Sequence, residues 1–269
     1  MIVDGRALAG EILARTKVRA VLLPRPPKVV AIVANETPAT QSYLRIKTAR
    51  AADAGCLFET RPLGTEYADA DAVIVQLPLP AGIDAKNVLD AIPLEKDADV
   101  LSSAARALFE NGDLRNPHLL PPVVGAVQAI FEYGKVDAVG KQAVVVGEGF
   151  LVGAPVAMWL RQQGAEVTVV NDTTTDLAAA LHNADIIVSG AGSPGLITPD
   201  MLKEGVVLID AGTSELGGKL VGDADPACAA KCSLFTPVPG GVGPVAVACL
   251  FANVMKLAEQ NIDKSRNKA

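Results

Sequence analysis

The chain has 269 residues, half of them hydrophobic and 20% charged, so its length suits two domains of ordinary size. A formal net charge of −6 disfavours a nucleic-acid-binding protein, which normally carries a basic face. The N-terminal segment lacks the basic and apolar runs of a secretory signal, and no uninterrupted apolar stretch reaches the roughly 20 residues of a membrane span. We therefore expect a cytoplasmic protein with no nucleic-acid or membrane partner.

Strand-like apolar runs alternate with helical patterns in the first half of the chain, which indicates an α/β fold. Residues 29–34 predict a buried strand. Thr37-Pro38 then predicts the start of a helix that runs to about residue 54. Residues 57–63 and 72–77 predict two further strands. The link between them is shorter than a usual parallel crossover, so either the connection is tight or one strand boundary is misplaced.

A Pro-rich segment at residues 117–122 predicts the crossing into a second domain. The second half of the sequence then predicts a helix and a strand, followed by a Gly-rich turn and a helix from about Pro155. Three more strands follow, and a helix through Leu181 lies between the first and the second of them. The predicted ranges are 124–133 (helix), 143–146, 165–170, 185–188 and 206–210 (strands), and 245–262 (a last helix). We expect one domain over residues 1–120, completed by the helix 245–262, and another over residues 121–244.

The Gly-rich turn after strand 143–146 carries a G-x-G-x-x-x-G spacing, one residue longer than the usual dinucleotide fingerprint. Glycines at such a turn let the backbone approach a pyrophosphate, and the following helix offers its N-terminal N–H groups. The pattern predicts a Rossmann-type, doubly wound domain, although a purely structural turn is the alternative. The predicted cofactor residues of this turn are Gly147, Glu148, Gly149, Val152 and Gly153.

The next strand ends at Asn171-Asp172, and an acid at this tip characteristically binds the adenosine ribose hydroxyls. Asp172 and Glu148 would both repel a 2′-phosphate, and neither segment contains Arg or Lys. The residues therefore favour NAD over NADP as cofactor, with NADP kept open. The alternatives are that Glu148 points to solvent and that Asp172 caps the next helix.

The first half carries the more specific pattern. Tyr43 and Lys47 are four residues apart and share one face of the predicted helix. The third strand runs into Gln76-Leu77-Pro78-Leu79-Pro80, and Asp99 closes an acidic segment that begins after Pro93. Near the end of the chain stands the string 237–244, Pro-Val-Pro-Gly-Gly-Val-Gly-Pro.

Together these motifs resemble the bifunctional methylenetetrahydrofolate dehydrogenase/methenyltetrahydrofolate cyclohydrolase family, over nearly the whole chain. Lesser matches are the strings at residues 192–195, 209–212 and 222–225. The resemblance implies a folate-binding N-terminal α/β domain, a C-terminal Rossmann-type domain, an active site in the cleft between them, and a homodimer. It also implies that 5,10-methylenetetrahydrofolate is oxidised with a nicotinamide cofactor and that the methenyl product is hydrolysed to 10-formyltetrahydrofolate.

The family pattern also assigns roles to residues of this sequence. Lys47 matches the catalytic lysine, Tyr43 the tyrosine that flanks the substrate, Gln76 the glutamine bonded to that lysine, and Asp99 the aspartate that anchors the pterin. A lysine in a cleft of low dielectric constant can move the proton that ring opening requires. For isolated residues, a solvated lysine and a packed tyrosine would be the simpler interpretation. The resemblance further places Gly192, Pro194 and Thr213 at the cofactor, and Pro239, Gly240 and Gly241 at the substrate.

The sequence departs from the family pattern at several positions. The turn usually reads Gly-Arg-Ser, where this chain has Gly147-Glu148-Gly149, and Asp172 replaces a serine. Val100-Leu101 replaces Gly-Phe after the anchoring aspartate, and the connection 64–71 is predicted to have lost a helix. These changes keep two alternatives open. One is a dehydrogenase with weak cyclohydrolase activity or a related pterin substrate, and the other is a degenerate nucleotide-binding relative with a regulatory role.

Two of the four cysteines, Cys228 and Cys232, have a spacing that could contribute to a metal site. No second pair accompanies them, and the two histidines, His118 and His182, lie far away in the sequence. We therefore expect no metal site and reduced thiols.

Overall fold

The computed structural model describes residues 1–112 and 119–266, so Pro117 and His118 lie outside the described residues. The chain divides into two compact units. One comprises Met1–Leu8 and Val123–Ala246 and is called the five-stranded unit after its main sheet. The other comprises Ala9–Pro122 and Val247–Ala269 and is called the three-stranded unit.

Helices and strands alternate along much of the described chain, as a βαβ architecture requires. The α-helices are α1 (Gly5–Ala20), α2 (Pro38–Asp53), α3 (Ala85–Asp90), α4 (Ser103–Asn111), α5 (Pro122–Gly134), α6 (Gly153–Gln162), α7 (Leu177–His182) and α8 (Val242–Arg266). The strands are β1 (Lys28–Val33), β2 (Leu57–Pro62), β3 (Ala72–Val75), β4 (Gln142–Val146), β5 (Glu166–Val170), β6 (Ile186–Ser189), β7 (Val206–Asp210), β8 (Ser214–Leu216), β9 (Lys219–Val221) and β10 (Cys232–Phe235).

The three-stranded unit is built on a parallel sheet with the order β2-β1-β3. All four residues of β3 and the central residues of β1 are buried, as expected for parallel strands covered on both faces. The chain returns from Pro62 to Ala72 without a helix, and β3 pairs on the opposite side of β1 from β2. The predicted strand boundaries were therefore nearly right, and the connection is tight.

This short connection borders a cavity of about 780 Å³ in the three-stranded unit. Its lining is largely apolar and includes Ile32, Leu63, Tyr67, Val88 and Ile92. The Tyr67 hydroxyl donates a hydrogen bond to the Ala91 carbonyl oxygen at 3.0 Å, which ties the connection to the end of α3. This hydrogen bond therefore helps to hold the helix-free connection in place.

The five-stranded unit contains a parallel sheet with the order β10-β7-β6-β4-β5, and the small antiparallel hairpin β8–β9. Its core holds apolar side chains from the sheet and from the helices packed on it, including Val146, Leu181, Ile187, Leu208 and Phe235. Strands β4 to β7 confirm the four strands that the sequence predicted for this half of the chain. The strand β10 and the hairpin β8–β9 were not predicted from the sequence.

The last helix is longer than predicted, beginning at Val242 and ending at Arg266. By length and composition its segment Val242–Ile262 could cross a membrane, and 56% of its apolar window is buried within the protein. The core helix of a soluble protein has the same properties, so burial accounts for the composition of α8.

Candidate active site

The helix α2 positions Tyr43 and Lys47 in the three-stranded unit. Thr37 caps its N-terminus by accepting a hydrogen bond from the Thr40 backbone N–H, and Pro38 occupies the first helical position, both as predicted. Tyr43 is 47% exposed, so it is not packed in the core. Lys47 lies one helical turn further on and is only partly exposed.

Gln76 follows β3 directly and is buried. Its backbone N–H donates to the Ile32 carbonyl oxygen at 2.9 Å, which continues the β1–β3 pairing by one residue. Its side chain then bridges two groups. The Lys47 Nζ donates to Gln76 Oε1 at 3.1 Å, and Gln76 Nε2 donates to the Leu77 carbonyl oxygen at 2.8 Å. The structure therefore brings together the predicted lysine and glutamine and fixes the orientation of the amide.

Asp99 lies close enough to Lys47 for the two charges to interact. Burial raises the pKa of the Asp99 carboxyl to about 6, the positive charge of Lys47 acts against this rise, and the Asp97 carboxylate adds to it. The Asp97 carboxylate has a different task, because it accepts the backbone N–H groups of Leu101 and Ser102. With this raised pKa, the ionisation of the Asp99 carboxyl changes between pH 5 and 7.

Val100, the residue after Asp99, has a φ of 57°. A β-branched residue in this left-handed region is a true outlier, with a cost of about 1–3 kcal/mol. Val100 is nonetheless buried. The surrounding packing therefore holds valine in a backbone conformation that a glycine would adopt freely.

The segment before Asp99 is held by α8. Asn253 is buried, and its Nδ2 donates to the carbonyl oxygens of Ala98 at 2.9 Å and Leu120 at 2.8 Å. The sequence analysis did not single out Asn253, because no local pattern relates it to residues more than a hundred positions away. One amide thus serves two carbonyl groups, of which Ala98 is buried and Leu120 is partly buried, so Asn253 is a structural support of the segment before Asp99.

In the five-stranded unit, the predicted Gly-rich turn lies between β4 and α6. Gly147 has a φ of +91°, which favours glycine. A Cβ atom at Gly153 would lie 1.9 Å from the Gly147 carbonyl oxygen, so only glycine fits where the turn closes on the helix start. Gly190, after β6, faces the same turn, since a Cβ atom there would lie 2.5 Å from the Val152 Cγ1.

The turn and the loop after β6 present an open backbone surface. A Cβ atom at Gly149 or Gly192 would meet no atom within 4 Å, so both face open space instead of packing against protein. Pro194 and Thr213 are exposed as well. The Ser214 hydroxyl donates to the Gly192 carbonyl oxygen at 3.0 Å, which links the loops after β6 and β7. These residues fit a nucleotide cofactor lying along the carboxyl ends of the strands.

Glu148 and Asn171 meet at the tips of the adjacent strands β4 and β5. The Asn171 Nδ2 donates to Glu148 Oε1 at 2.8 Å. The Asn171 Oδ1 accepts the Thr173 backbone N–H at 3.0 Å, so the amide is itself held. Asp172 is exposed, and the residue that caps α7 is Asp176, whose side chain accepts the Ala179 N–H. Asn171 was not predicted as a cofactor residue, although it directly precedes Asp172, which was.

The segment Pro239–Gly241 lies in the five-stranded unit and packs against the N-terminus of the chain. A Cβ atom at Gly5 would lie 1.9 Å from the Gly241 carbonyl oxygen and 2.6 Å from that of Gly240. Gly240 has a φ of +109°, which also favours glycine. The predicted substrate residues of this segment are therefore held in a tight backbone arrangement.

Cys228 and Cys232 are both buried in the core of the five-stranded unit. Burial raises the pKa of Cys228 to about 11 and that of Cys232 to about 12, so both thiols stay protonated at neutral pH. Over residues 1–112 and 119–266, no group of three or more His, Cys, Asp or Glu side chains could hold a metal ion. His118, which the sequence analysis considered, lies outside this part.

A two-unit α/β protein with a Gly-rich nucleotide turn in one unit and a lysine–glutamine–aspartate cluster in the other belongs to the class of dinucleotide-dependent enzymes. Family comparisons define the class further. Residues 3–99 match the catalytic domain of tetrahydrofolate dehydrogenase/cyclohydrolase, and residues 121–262 match its NAD(P)-binding domain. The chain belongs to this family, and its second half contains an NAD(P)-binding domain.

Individual relatives agree over nearly the whole chain. The Bifunctional protein FolD of Moorella thermoacetica is 38% identical over 279 residues, covering 96% of this chain and 99% of that protein. The bifunctional methylenetetrahydrofolate dehydrogenase/cyclohydrolase of Campylobacter jejuni superposes with a TM-score of 0.91 at 31% identity, covering 97% of this chain and 99% of the other. The Trypanosoma brucei dehydrogenase-cyclohydrolase, complexed with NADP and an inhibitor, has a TM-score of 0.90 at 33% identity, covering 97% and 98% of the two chains. The resemblance and the α/β fold class predicted from the sequence are thus confirmed.

Proposed function

We propose that this chain oxidises 5,10-methylenetetrahydrofolate to 5,10-methenyltetrahydrofolate with a nicotinamide dinucleotide and hydrolyses the product to 10-formyltetrahydrofolate. The observation that carries this proposal is the hydrogen bond between Lys47 and Gln76 beside the desolvated Asp99 carboxyl. All three residues fall in the segment that matches the catalytic domain of the family. We assign the folate chemistry to residues 1–120 with the helix 245–262, and cofactor binding to residues 121–244.

The side chains have complementary chemical roles in this proposal. Ring opening of the methenyl product needs water addition and a proton transfer to nitrogen, and the Lys47 amine is the group that moves this proton. Gln76 orients the amine through its fixed amide. Asp99, in its ionised form, accepts hydrogen bonds from the N–H groups of the pterin. Tyr43, exposed on the same helix face as Lys47, flanks the bound ring, and Pro239, Gly240 and Gly241 supply further substrate contacts.

Residues of the five-stranded unit would hold the cofactor, which when bound supplies an acceptor for the hydride of the bridging carbon. The open faces of Gly149 and Gly192 leave room for the pyrophosphate and ribose. Val152, Gly147 and Gly153 form the turn, and Pro194 and Thr213 border it. The glycines of this set have no side chains, which suits a close approach of the dinucleotide to the backbone.

We further propose that the cofactor is NAD. The Glu148 carboxylate is held by Asn171 at the strand tips, where the adenosine ribose of a dinucleotide lies in Rossmann-type domains. A carboxylate in this place accepts hydrogen bonds from the ribose hydroxyls and repels a 2′-phosphate. Asp172, exposed on the neighbouring residue, adds negative charge.

The test is the initial rate with 5,10-methylenetetrahydrofolate and either NAD or NADP, followed by the decay of the methenyl product. We expect both the dehydrogenase and the cyclohydrolase activity to be measurable. We also expect NAD to be used more efficiently than NADP. Preference for NADP would overturn the cofactor assignment alone. Hydrolysis of added methenyl substrate without any dehydrogenase rate would reduce the proposal to a cyclohydrolase, and the reverse result would leave a dehydrogenase. Inactivity in both assays would favour the degenerate nucleotide-binding relative.

We also propose that the protein is a cytoplasmic homodimer formed through the five-stranded unit. Strand β5 stands at the edge of the sheet, with Val167 and Val169 only partly buried, and such an edge offers unpaired backbone groups to a second copy. Light scattering after size-exclusion chromatography tests the dimer, and a monomer mass would contradict it. Fractionation of cells that produce the protein tests the cytoplasmic assignment, which recovery in the membrane fraction would contradict.

A further inference from the structure

Three sequence strings noted above as lesser family matches, at residues 192–195, 209–212 and 222–225, meet in the five-stranded unit around two buried aspartates. The carboxylate of Asp223 organises the loop after β6. Its Oδ2 accepts the Ser189 hydroxyl at 2.7 Å and the Ala191 N–H at 2.8 Å, and its Oδ1 accepts the Ser193 N–H at 2.7 Å. Asp223 itself is fully buried.

Asp210, the last residue of β7, performs a similar task for the neighbouring segments. Its Oδ1 accepts the N–H groups of Gly212 at 2.9 Å and of Asp223 at 3.2 Å, and its Oδ2 accepts the Ala224 N–H at 2.9 Å. Asp210 therefore holds the backbone from which the Asp223 side chain projects. Through these hydrogen bonds, the two carboxylates connect the end of β7 to the loop after β6.

Two glycines make space for these acids. A Cβ atom at Gly212 would lie 2.2 Å from the Asp223 carboxyl carbon, and one at Gly222 would lie 2.0 Å from Asp210 Oδ2. Burial raises the pKa of Asp210 to about 6, and the Asp223 charge contributes to the rise while backbone N–H groups oppose it. Burying two acids together is costly, so an arrangement with reserved space and six donors indicates a specific task.

The loop held by Asp223 is one wall of the nucleotide turn. A Cβ atom at Gly147 would lie 3.0 Å from the Gly190 carbonyl oxygen and 3.1 Å from the Ala191 Cα. Val152 packs on the other side of Gly190. A shift of residues 190–193 would therefore move the surface against which the Gly-rich turn is built.

We infer that Asp223 is a positioning residue of the dinucleotide site, which it shapes by anchoring residues 189–193 beneath the Gly-rich turn, with Asp210 as its support. The inference rests on the proposed dehydrogenase function and deepens it. Asp223 is buried and acts through the backbone of the loop, so it touches neither the substrate nor the reacting atoms. Its loss should affect cofactor binding and leave the folate chemistry of the other unit in place.

The test compares Asp223→Asn with Asp225→Asn. The first substitution keeps the shape and replaces one acceptor oxygen with an NH₂ group that faces backbone or hydroxyl donors. The control changes a nearby aspartate whose side chain accepts the local Ala227 N–H at the start of a 3₁₀ turn. Titration calorimetry with NAD and with NADP gives the dissociation constants. Hydrogen exchange reports on residues 187–195, and cyclohydrolase activity reports on the three-stranded unit.

For Asp223→Asn we expect dinucleotide binding weakened about ten-fold, faster exchange in residues 187–195, and cyclohydrolase activity within about two-fold of wild type. Asp225→Asn should leave all three readouts unchanged. Unchanged dinucleotide binding in Asp223→Asn would overturn the inference. If wild type bound neither dinucleotide, the proposed dehydrogenase function itself would fail.

A second variant covers the case in which Asp223→Asn does not fold. Ser189→Ala removes only the hydroxyl donor of Asp223 and leaves the carboxylate and its backbone bonds in place. It should weaken dinucleotide binding about three-fold, with cyclohydrolase activity retained. Unchanged binding in this folded variant would contradict the anchoring role.

Discussion

The Lys47 amine donates a hydrogen bond to the side-chain carbonyl oxygen of Gln76 at 3.1 Å, and the Gln76 amide is fixed in turn by the Leu77 carbonyl oxygen. This pair links a helix residue to the end of a buried strand. Because the strand is rigid, the amine has one preferred direction, and the Asp99 charge lies within electrostatic reach of it. The arrangement gives the proposed proton transfer a defined geometry.

Replacement of Lys47 by methionine should remove the group that transfers the proton. We expect Lys47→Met to lower the cyclohydrolase rate by about 10²–10⁴-fold, the range that a positioned acid–base group contributes. The measurement is the absorbance decay of methenyltetrahydrofolate above the uncatalysed rate. The matched control is Lys86→Met, since Lys86 is exposed on α3 and pairs with Asp90. A full cyclohydrolase rate in Lys47→Met would remove Lys47 from the mechanism.

Substrate affinity should depend on pH through Asp99. With a pKa of about 6, Asp99 becomes protonated as the pH falls from 7 to 5 and then loses its ability to accept pterin N–H groups. We expect the KM for the folate substrate to rise about ten-fold over this interval. Asp99→Asn should have a high KM that varies little with pH, and an identical pH profile in wild type and variant would contradict the prediction.

Unfolding does not explain this expected loss of affinity. The pKa of Asp99 is raised in the folded protein relative to its ordinary value, so the folded state binds the proton first as the pH falls. Asp99 therefore contributes more stability below pH 6 than above it, and this contribution is lost as the pH rises. Thermal unfolding at pH 5 and 7, with and without Asp99→Asn, separates the two effects.

Cofactor selectivity should respond to the Glu148 charge. A carboxylate a few ångströms from a phosphate costs on the order of 1–3 kcal/mol near a protein surface. Glu148→Gln should therefore raise kcat/KM for NADP about ten-fold and change that for NAD much less. Glu166→Gln, an exposed residue at the start of β5, is the control. Equal NADP efficiency in wild type and Glu148→Gln would show that this carboxylate does not set selectivity.

Removal of the Asn253 side chain should destabilise the three-stranded unit. Asn253→Ala leaves the Ala98 and Leu120 carbonyl groups without their amide donor, and we expect the free energy of unfolding to fall by about 2–3 kcal/mol. Because Ala98 precedes Asp99, the KM for folate should rise as well. Urea unfolding measures the first effect and steady-state kinetics the second.

Asn261→Ala is the natural comparison on the same helix. The Asn261 bonds to the carbonyl oxygens of Asp71 and Glu95 are longer, at 3.4 and 3.3 Å, and more exposed. Asn261→Ala should lower the free energy of unfolding by less than about 1 kcal/mol. Equal destabilisation by the two substitutions would mean that burial of the Asn253 bonds does not matter.

Sequence patterns were enough to predict the α/β fold class, the nucleotide turn, and the placement of Tyr43 and Lys47 on one helix face. These features depend on short-range rules: period-2 and period-3.6 patterns, caps such as Thr37, and glycines at fixed offsets. They can be recognised because each acts within one or two turns of the chain. The family motifs added expected roles for Gln76 and Asp99.

The contacts between residues far apart in the sequence could be identified only in the folded structure. The sequence left the connection between β2 and β3 ambiguous, and the structure shows that the chain crosses there without a helix and that β3 pairs on the far side of β1. The bonds of Asn171 to Glu148, Asn253 to Ala98, and Asp223 to Ala191 join residues that no periodicity relates. Such contacts, like the pKa of a buried carboxyl, depend on desolvation and on neighbours supplied by other strands, which exist only once the chain has folded.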